Sequence, residues 1–120
     1  MKSFSLQTRL YSGQGSLDVL KRFTNKHIWI ICDGFLARSP LIEKLRDALP
    51  ADNRISIFSD ITPDPTINTV VQGIAQMQSL RPDVVIGFGG GSALDAAKAI
   101  VWFSRQFGIE IETCVAIPTT

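Results

Sequence analysis

Apolar runs of strand length alternate along the chain with segments whose apolar residues recur at helical spacing. Phe4, Leu6 and Leu10 alternate with polar neighbours over residues 4–11, as in a half-exposed strand, and Ser12-Gly13-Gln14-Gly15 ends it. From Ser16, placed as an N-cap, Leu17, Leu20 and Phe23 share one helical face. Residues 27–32 form a continuous apolar run, the mark of a strand buried on both sides, and Asp33-Gly34 closes it. Ser39-Pro40 opens a helix, with Ser as cap and Pro in the first turn, whose stripe is Leu41, Ile42, Leu45, Ala48 and Leu49. Pro50 ends it, and residues 54–59 alternate as a third strand.

Thr62-Pro63-Asp64-Pro65-Thr66 reads as a stiffened loop, followed by Ile67, Val70, Val71, Ile74 and Met77 at helical spacing. A buried strand over 83–88, the longest helix over 92–107 and a fifth strand over 113–117 complete the pattern. Such alternation predicts an α/β fold, a Rossmann-like, mainly parallel sheet with helices on both faces. Ligands of these sheets gather at the carboxyl ends of the strands. Asp33, residues 60–66, Gly89 to Ser92, and Thr119 with Thr120 all fall there.

The 120 residues suit one domain, and 45% hydrophobic content argues against disorder. Twelve basic against eleven acidic residues leave a net charge of +1, so nothing points to nucleic acid. No apolar run approaches the length that spans a bilayer, so no membrane is expected. The start, Met1-Lys2-Ser3-Phe4, lacks a secretory signal, and the cytoplasm is the expected compartment. Cys32 and Cys114 sit far apart inside apolar runs and read as buried strand residues. The single histidine, His27, reads as a strand-entry residue; no metal ligand and no catalytic residue is assigned in this chain. Trp29, Trp102 and most of the seven Phe are expected to pack in the core.

The most informative stretch is Gly87-Phe88-Gly89-Gly90-Gly91-Ser92-Ala93-Leu94-Asp95-Ala96-Ala97-Lys98. Three glycines between a buried strand and a helix bring bare N–H groups close to a ligand, and the helix start favours a phosphate. Ser92 would cap the helix or donate to a phosphate oxygen. A plain tight turn is the competing reading, yet one glycine would suffice for that. Asp95 and Lys98 stand one helical turn apart and are open to a surface ion pair, and Asp95 in the first turn also to the helix dipole. Asp33 can accept both hydroxyls of an adenosine ribose, which would favour NAD over NADP, or simply form the turn with Gly34.

Gly89-Gly90-Gly91-Ser92-x-x-Asp95-x-x-Lys98, followed by Ala116-Ile117-Pro118-Thr119-Thr120, resembles the iron-dependent (group III) alcohol dehydrogenases. The Ser12-Gly13-Gln14-Gly15-Ser16 loop, Asp33 and the Pro63-Asp64-Pro65-Thr66 turn agree, so the resemblance covers essentially the whole chain. It implies that residues 1–120 are a dinucleotide-binding N-terminal domain, without the family's helical metal-binding domain. By carry-over, Asp33 would face the adenine ribose, Gly90, Gly91 and Ser92 would hold the pyrophosphate, and Asp95 would belong to the same cofactor site. Thr119 and Thr120 would line the cleft, and Asp64 would approach the nicotinamide side, where members commonly carry Asn. The cofactors implied are NAD and Fe2+, the iron being held by an Asp and several His that this chain does not supply. The activity implied is hydride transfer between NAD and a short aldehyde or its primary alcohol, with propionaldehyde as the expected aldehyde. The 120-residue chain alone is then expected to be inactive; a stand-alone, non-catalytic nucleotide-binding module is the alternative. Within the family the likeness is to members from propanediol-utilisation microcompartments. It implies a homodimer or larger assembly, with microcompartment enzymes as neighbours.

Overall fold

Side chains on successive strand residues point to opposite faces, so a strand that is apolar throughout needs cover on both. The computed structural model describes residues 8–10, 18–61 and 66–119. In chain order its elements are β1 (Thr8–Leu10), a 3-10 turn (Leu20–Arg22), β2 (His27–Asp33), α1 (Gly34–Ala37) and α2 (Pro40–Ala48). They continue with β3 (Arg54–Ile61), α3 (Ile67–Leu80), β4 (Val84–Gly89), α4 (Gly91–Gln106) and β5 (Thr113–Pro118). The strands form one sheet in the order β1-β5-β4-β2-β3, and every neighbouring pair is parallel. No helix among the described residues is long and apolar enough to cross a membrane.

From β2 to β3 the chain steps one way along the sheet; from β3 to β4 and on to β5 it steps the other. With right-handed crossovers, that reversal sends α1 and α2 to one face and α3 and α4 to the opposite one. Two buried clusters record the division. Ile28, Ile30 and Cys32 of β2 pack with Leu36, Ile42 and Leu45 on the first face. Trp29 and Ile31, their alternate neighbours, pack with Met77, Ala96, Ala97 and Ile100 on the second.

The α4 helix lies close on β4 because the contact is made of small residues. A Cβ on Gly87 would come 2.9 Å from the Ala97 Cβ, and one on Gly73 of α3 would run into the Ile100 side chain. That close seating sets where the start of α4 falls. The buried stripe of α4 is Ala93, Ala96, Ala97, Ile100, Val101 and Ser104. Trp102, Phe103 and Phe107 therefore face out, as does Phe35, and the expectation that the aromatics are core holds for Trp29, Phe58 and Phe88 but not for these four.

Other expectations need correction. The helix expected from Ser16 stops short of Phe23: within the described residues Asp18 and Val19 are helical, Leu20–Arg22 continue as a 3-10 turn, and Phe23 is extended. A tertiary contact marks the end: the Asn53 amide donates to the Phe23 carbonyl and accepts from the Lys26 N–H, across a bend at Asn25, which takes φ +55°. The α4 helix begins at Gly91 with Gly90 at its N-cap, so Ser92 is not the cap and Asp95 lies beyond the first turn. No ion pair joins Asp95 to Lys98 among the described residues. Ser39 does precede α2, but its hydroxyl donates backwards to the Leu36 carbonyl. The early glycine loop, residues 12–16, lies outside the described residues.

At the amino edge of the sheet His27 is buried, as the strand-entry reading expects. Its Nε2 lies 2.8 Å from the Ser56 hydroxyl, and its Nδ1 3.1 Å from the Leu80 carbonyl and 3.2 Å from Arg54 Nη2. Burial first, and then the Arg54 guanidinium, hold its pKa below the ordinary 6.5. Below that pH the unfolded chain takes up the proton more readily than the fold, so the stability this group contributes is present above 6.5 and lost as pH falls. The urea midpoint should drop on acidification from pH 7 to 5.5, with a contribution of at most about 1.4 kcal/mol per pH unit from this one proton. His27→Gln should remove that part of the slope; the same slope in both proteins would refute the assignment.

Candidate functional site

β2 and β4 are neighbours from which the chain departs in opposite directions, and a crevice opens where their carboxyl ends meet. It forms a cavity of about 500 Å3 lined by Asp33, Gly34, Phe35, Arg38, Ile61 and residues 90–93. Four of the residues expected at a cofactor site, Asp33, Gly90, Gly91 and Ser92, thus meet in one place. Thr119 is exposed just past β5, and its N–H donates to the Gly89 carbonyl at 3.0 Å, tying it to the glycine turn. Asp95 is exposed and stands outside the cavity lining. Asp64 and Thr120 lie outside the described residues.

The three glycines differ in what they are for. Gly89 takes φ +138°, a conformation that side chains disfavour, and a Cβ there would meet Leu36 Cδ1 at 2.9 Å. Gly90 has φ −84° and ψ −173°, ordinary extended backbone. A Cβ on either Gly90 or Gly91 would have nothing within 4 Å. The fold itself therefore needs one glycine of the three. The other two keep open the space in front of the α4 amino terminus, which is what a group approaching the backbone requires. The Leu94 N–H donates to the Gly90 carbonyl at 3.1 Å, and the N–H groups of the first turn point out along the axis as at any helix start. Together with the helix dipole they suit a phosphate.

Asp33 both shapes the turn and faces the crevice. Its Oδ1 accepts from the Leu36 N–H at 2.7 Å, which caps α1, and the half-buried carboxylate lines the cavity at the same time. The cap fixes the carboxylate's direction. Next to it, burial, with the Asp33 charge second, pushes the Cys32 thiol up to about 11, so this cysteine is no nucleophile. Opposite, β3 carries a bulge: Ile31 pairs with Phe58 but Asp33 with Ile61, and this brings Ile61 to the rim.

Ile61 falls within the 60–66 stretch expected at this edge, whereas Phe35 and Arg38 were not among the sequence candidates. No motif marks them, because α1 is a four-residue helix without a readable period; only Asp33 before Gly34 hinted at it. For iron the donor set does not fit. No group of three or more His, Cys, Asp or Glu that could hold a metal occurs among the described residues, and His27 sits at the opposite edge of the sheet.

A family model described as iron-containing alcohol dehydrogenase matches residues 7–120. The chain is 98% identical, over all of its 120 residues, to the 1-propanol dehydrogenase PduQ of Citrobacter freundii, of which it spans 32%. Among solved structures, an iron-containing alcohol dehydrogenase from Thermococcus thioreducens superposes with a TM-score of 0.77 at 21% identity, covering 98% of this chain and 37% of that one. A sulfoacetaldehyde reductase from Bifidobacterium kashiwanohense in complex with NAD+ superposes with a TM-score of 0.72 at 22% identity, covering 100% and 36%.

The different duties of the glycines can be separated by experiment. Gly89→Ala should lower stability by about 1–3 kcal/mol through backbone strain and the Leu36 contact. Gly90→Ala and Gly91→Ala should leave the urea midpoint unchanged or higher, yet weaken dinucleotide binding about tenfold or more. Equal stability losses at all three positions would show that the loop is only a tight turn.

Proposed function

The chain belongs to the iron-containing alcohol dehydrogenase family, and from that premise we propose that it is the dinucleotide-binding domain of an NAD-dependent alcohol dehydrogenase. The full-length enzyme would interconvert a short aliphatic aldehyde and its primary alcohol. Propionaldehyde is the proposed aldehyde, being the oxidation product of the 1-propanol named for the 98%-identical relative. What carries the reading is the space kept clear in front of Gly90 and Gly91, beside a carboxylate oriented by its own helix.

The backbone N–H groups of Gly91, Ser92 and Ala93 and the positive end of α4 would receive the pyrophosphate, with Gly90 giving access. Asp33 would accept the adenosine ribose hydroxyls through its remaining oxygen capacity, and its negative charge would favour NAD over a cofactor bearing a 2′-phosphate. Thr119, held against Gly89, would line the path of the cofactor with Thr120; Asp64 would stand toward the nicotinamide, and Asp95 on the outer side of α4. The nicotinamide, when bound, carries the hydride. The residues of this domain bind and orient it. Iron, dimer formation and microcompartment neighbours belong to the same proposal and rest on the family resemblance.

Asp33→Asn tests the ribose contact with little disturbance of the fold, because Asn caps a helix about as well as Asp. In the full-length protein it should raise the KM for NADH in propionaldehyde reduction about tenfold or more, while the urea midpoint stays within about 0.5 kcal/mol of the parent. An unchanged KM would remove Asp33 from the cofactor site.

A further inference from the structure

Two charged side chains line the cavity, and the second is Arg38. α1 runs between them, with Asp33 at its N-cap and Arg38 at its C-cap. Five residues at the helical rise place their backbones about 7.5 Å apart along the axis. The Arg38 side chain then shortens that gap by folding back over Gly34. Its Nη1 and Nη2 lie 3.4 and 3.7 Å from where a Gly34 Cβ would stand. The side chain is exposed, and no ion pair engages it among the described residues. Asp33 does not pair with it either, since the Asp33 carboxylate is anchored to the Leu36 N–H.

We propose that Arg38 is a second determinant of cofactor selection: its guanidinium receives the phosphate of a dinucleotide carrying a 2′-phosphate, and Asp33 opposes that same group. This rests on the dinucleotide reading of the site. A guanidinium presents a planar fork of donors that matches phosphate geometry, and this one has no ion-pair partner among the described residues to give up. Selection between NAD and NADP then depends on the opposition of two charges at the two ends of α1. The site contains a 2′-phosphate pocket that the Asp33 carboxylate masks.

Calorimetric titration of the full-length protein with NAD+ and with NADP+, at one fixed low salt concentration, tests this through the ratio of the two dissociation constants. Asp33→Ser keeps an N-cap oxygen for α1 and removes the charge. It should shift the ratio toward NADP+ about tenfold or more. Arg38→Ala should shift it toward NAD+ about tenfold or more, both alone and in the Asp33→Ser background, with thermal melts confirming that each variant is folded. A ratio that does not respond to Arg38→Ala in the Asp33→Ser background overturns the assignment. If NAD+ affinity still responds to Asp33→Ser and Gly90→Val, the dinucleotide reading survives that failure. Parent protein that binds neither dinucleotide overturns both.

Discussion

Everything at the carboxyl edge of this sheet depends on one topological constraint, the right-handedness of parallel crossovers. Because β2 connects to β3 on one side and β4 to β5 on the other, the helices that follow β2 and β4 must leave the sheet on opposite faces. Two neighbouring strands whose successors part in this way cannot cover their own ends. The crevice between Asp33 and Gly90 is the gap left over, and no side chain had to be sacrificed to create it. What the residues add is lining: a carboxylate and a guanidinium from α1, and bare backbone from the start of α4.

Close packing converts that gap into a site of fixed shape. The α4 helix is seated through Gly87 against Ala97 and through Gly73 against Ile100, contacts without slack. Its amino terminus is thereby located by the core, not by the loop that precedes it. On the other side, Leu36 is buried in the first-face cluster and approaches Gly89, while its N–H holds Asp33. One buried leucine therefore fixes both the direction of the carboxylate and the need for glycine at the turn. The polar groups of the crevice are positioned by apolar ones behind them, which is how an exposed site can be rigid.

Most of the architecture was legible in the sequence for a simple physical reason: strands buried on both faces cannot hide their composition. Residues 28–32 and 84–88 are apolar throughout, and the helices between them carry clear periods. The glycine run pointed to the carboxyl end of β4, where the cavity opens. It did not reveal that Gly90 takes the capping position and leaves Ser92 inside the first turn. Capping depends on where the backbone first becomes helical, and three glycines permit several answers. Legibility failed where tertiary contacts decide. Asn53 reaches across from the β3 side to hold the Phe23 carbonyl and the Lys26 N–H around the bend at Asn25, and nothing near Phe23 announces it. Four-residue α1, and with it Phe35 and Arg38, was invisible because a single turn has no period to read.

The two edges of the sheet show by contrast where binding capacity resides. At the amino edge polar groups are spent on one another. The Asp83 carboxylate takes the His27 N–H, the His27 ring reaches Ser56, Leu80 and Arg54, and Lys26 meets Glu112. Those contacts hold the strand ends together and leave little for a ligand. At the carboxyl edge the chain presents the amino end of α4, a guanidinium that no ion pair engages among the described residues, and a carboxylate with one oxygen engaged by the cap. Left to water, such groups contribute little to folding; gathered around a cleft, they retain the capacity that a charged ligand can use. A cofactor with an anionic middle and a sugar at one end is complementary to that remainder, and the same accounting explains why the amino-edge histidine belongs to stability and not to chemistry.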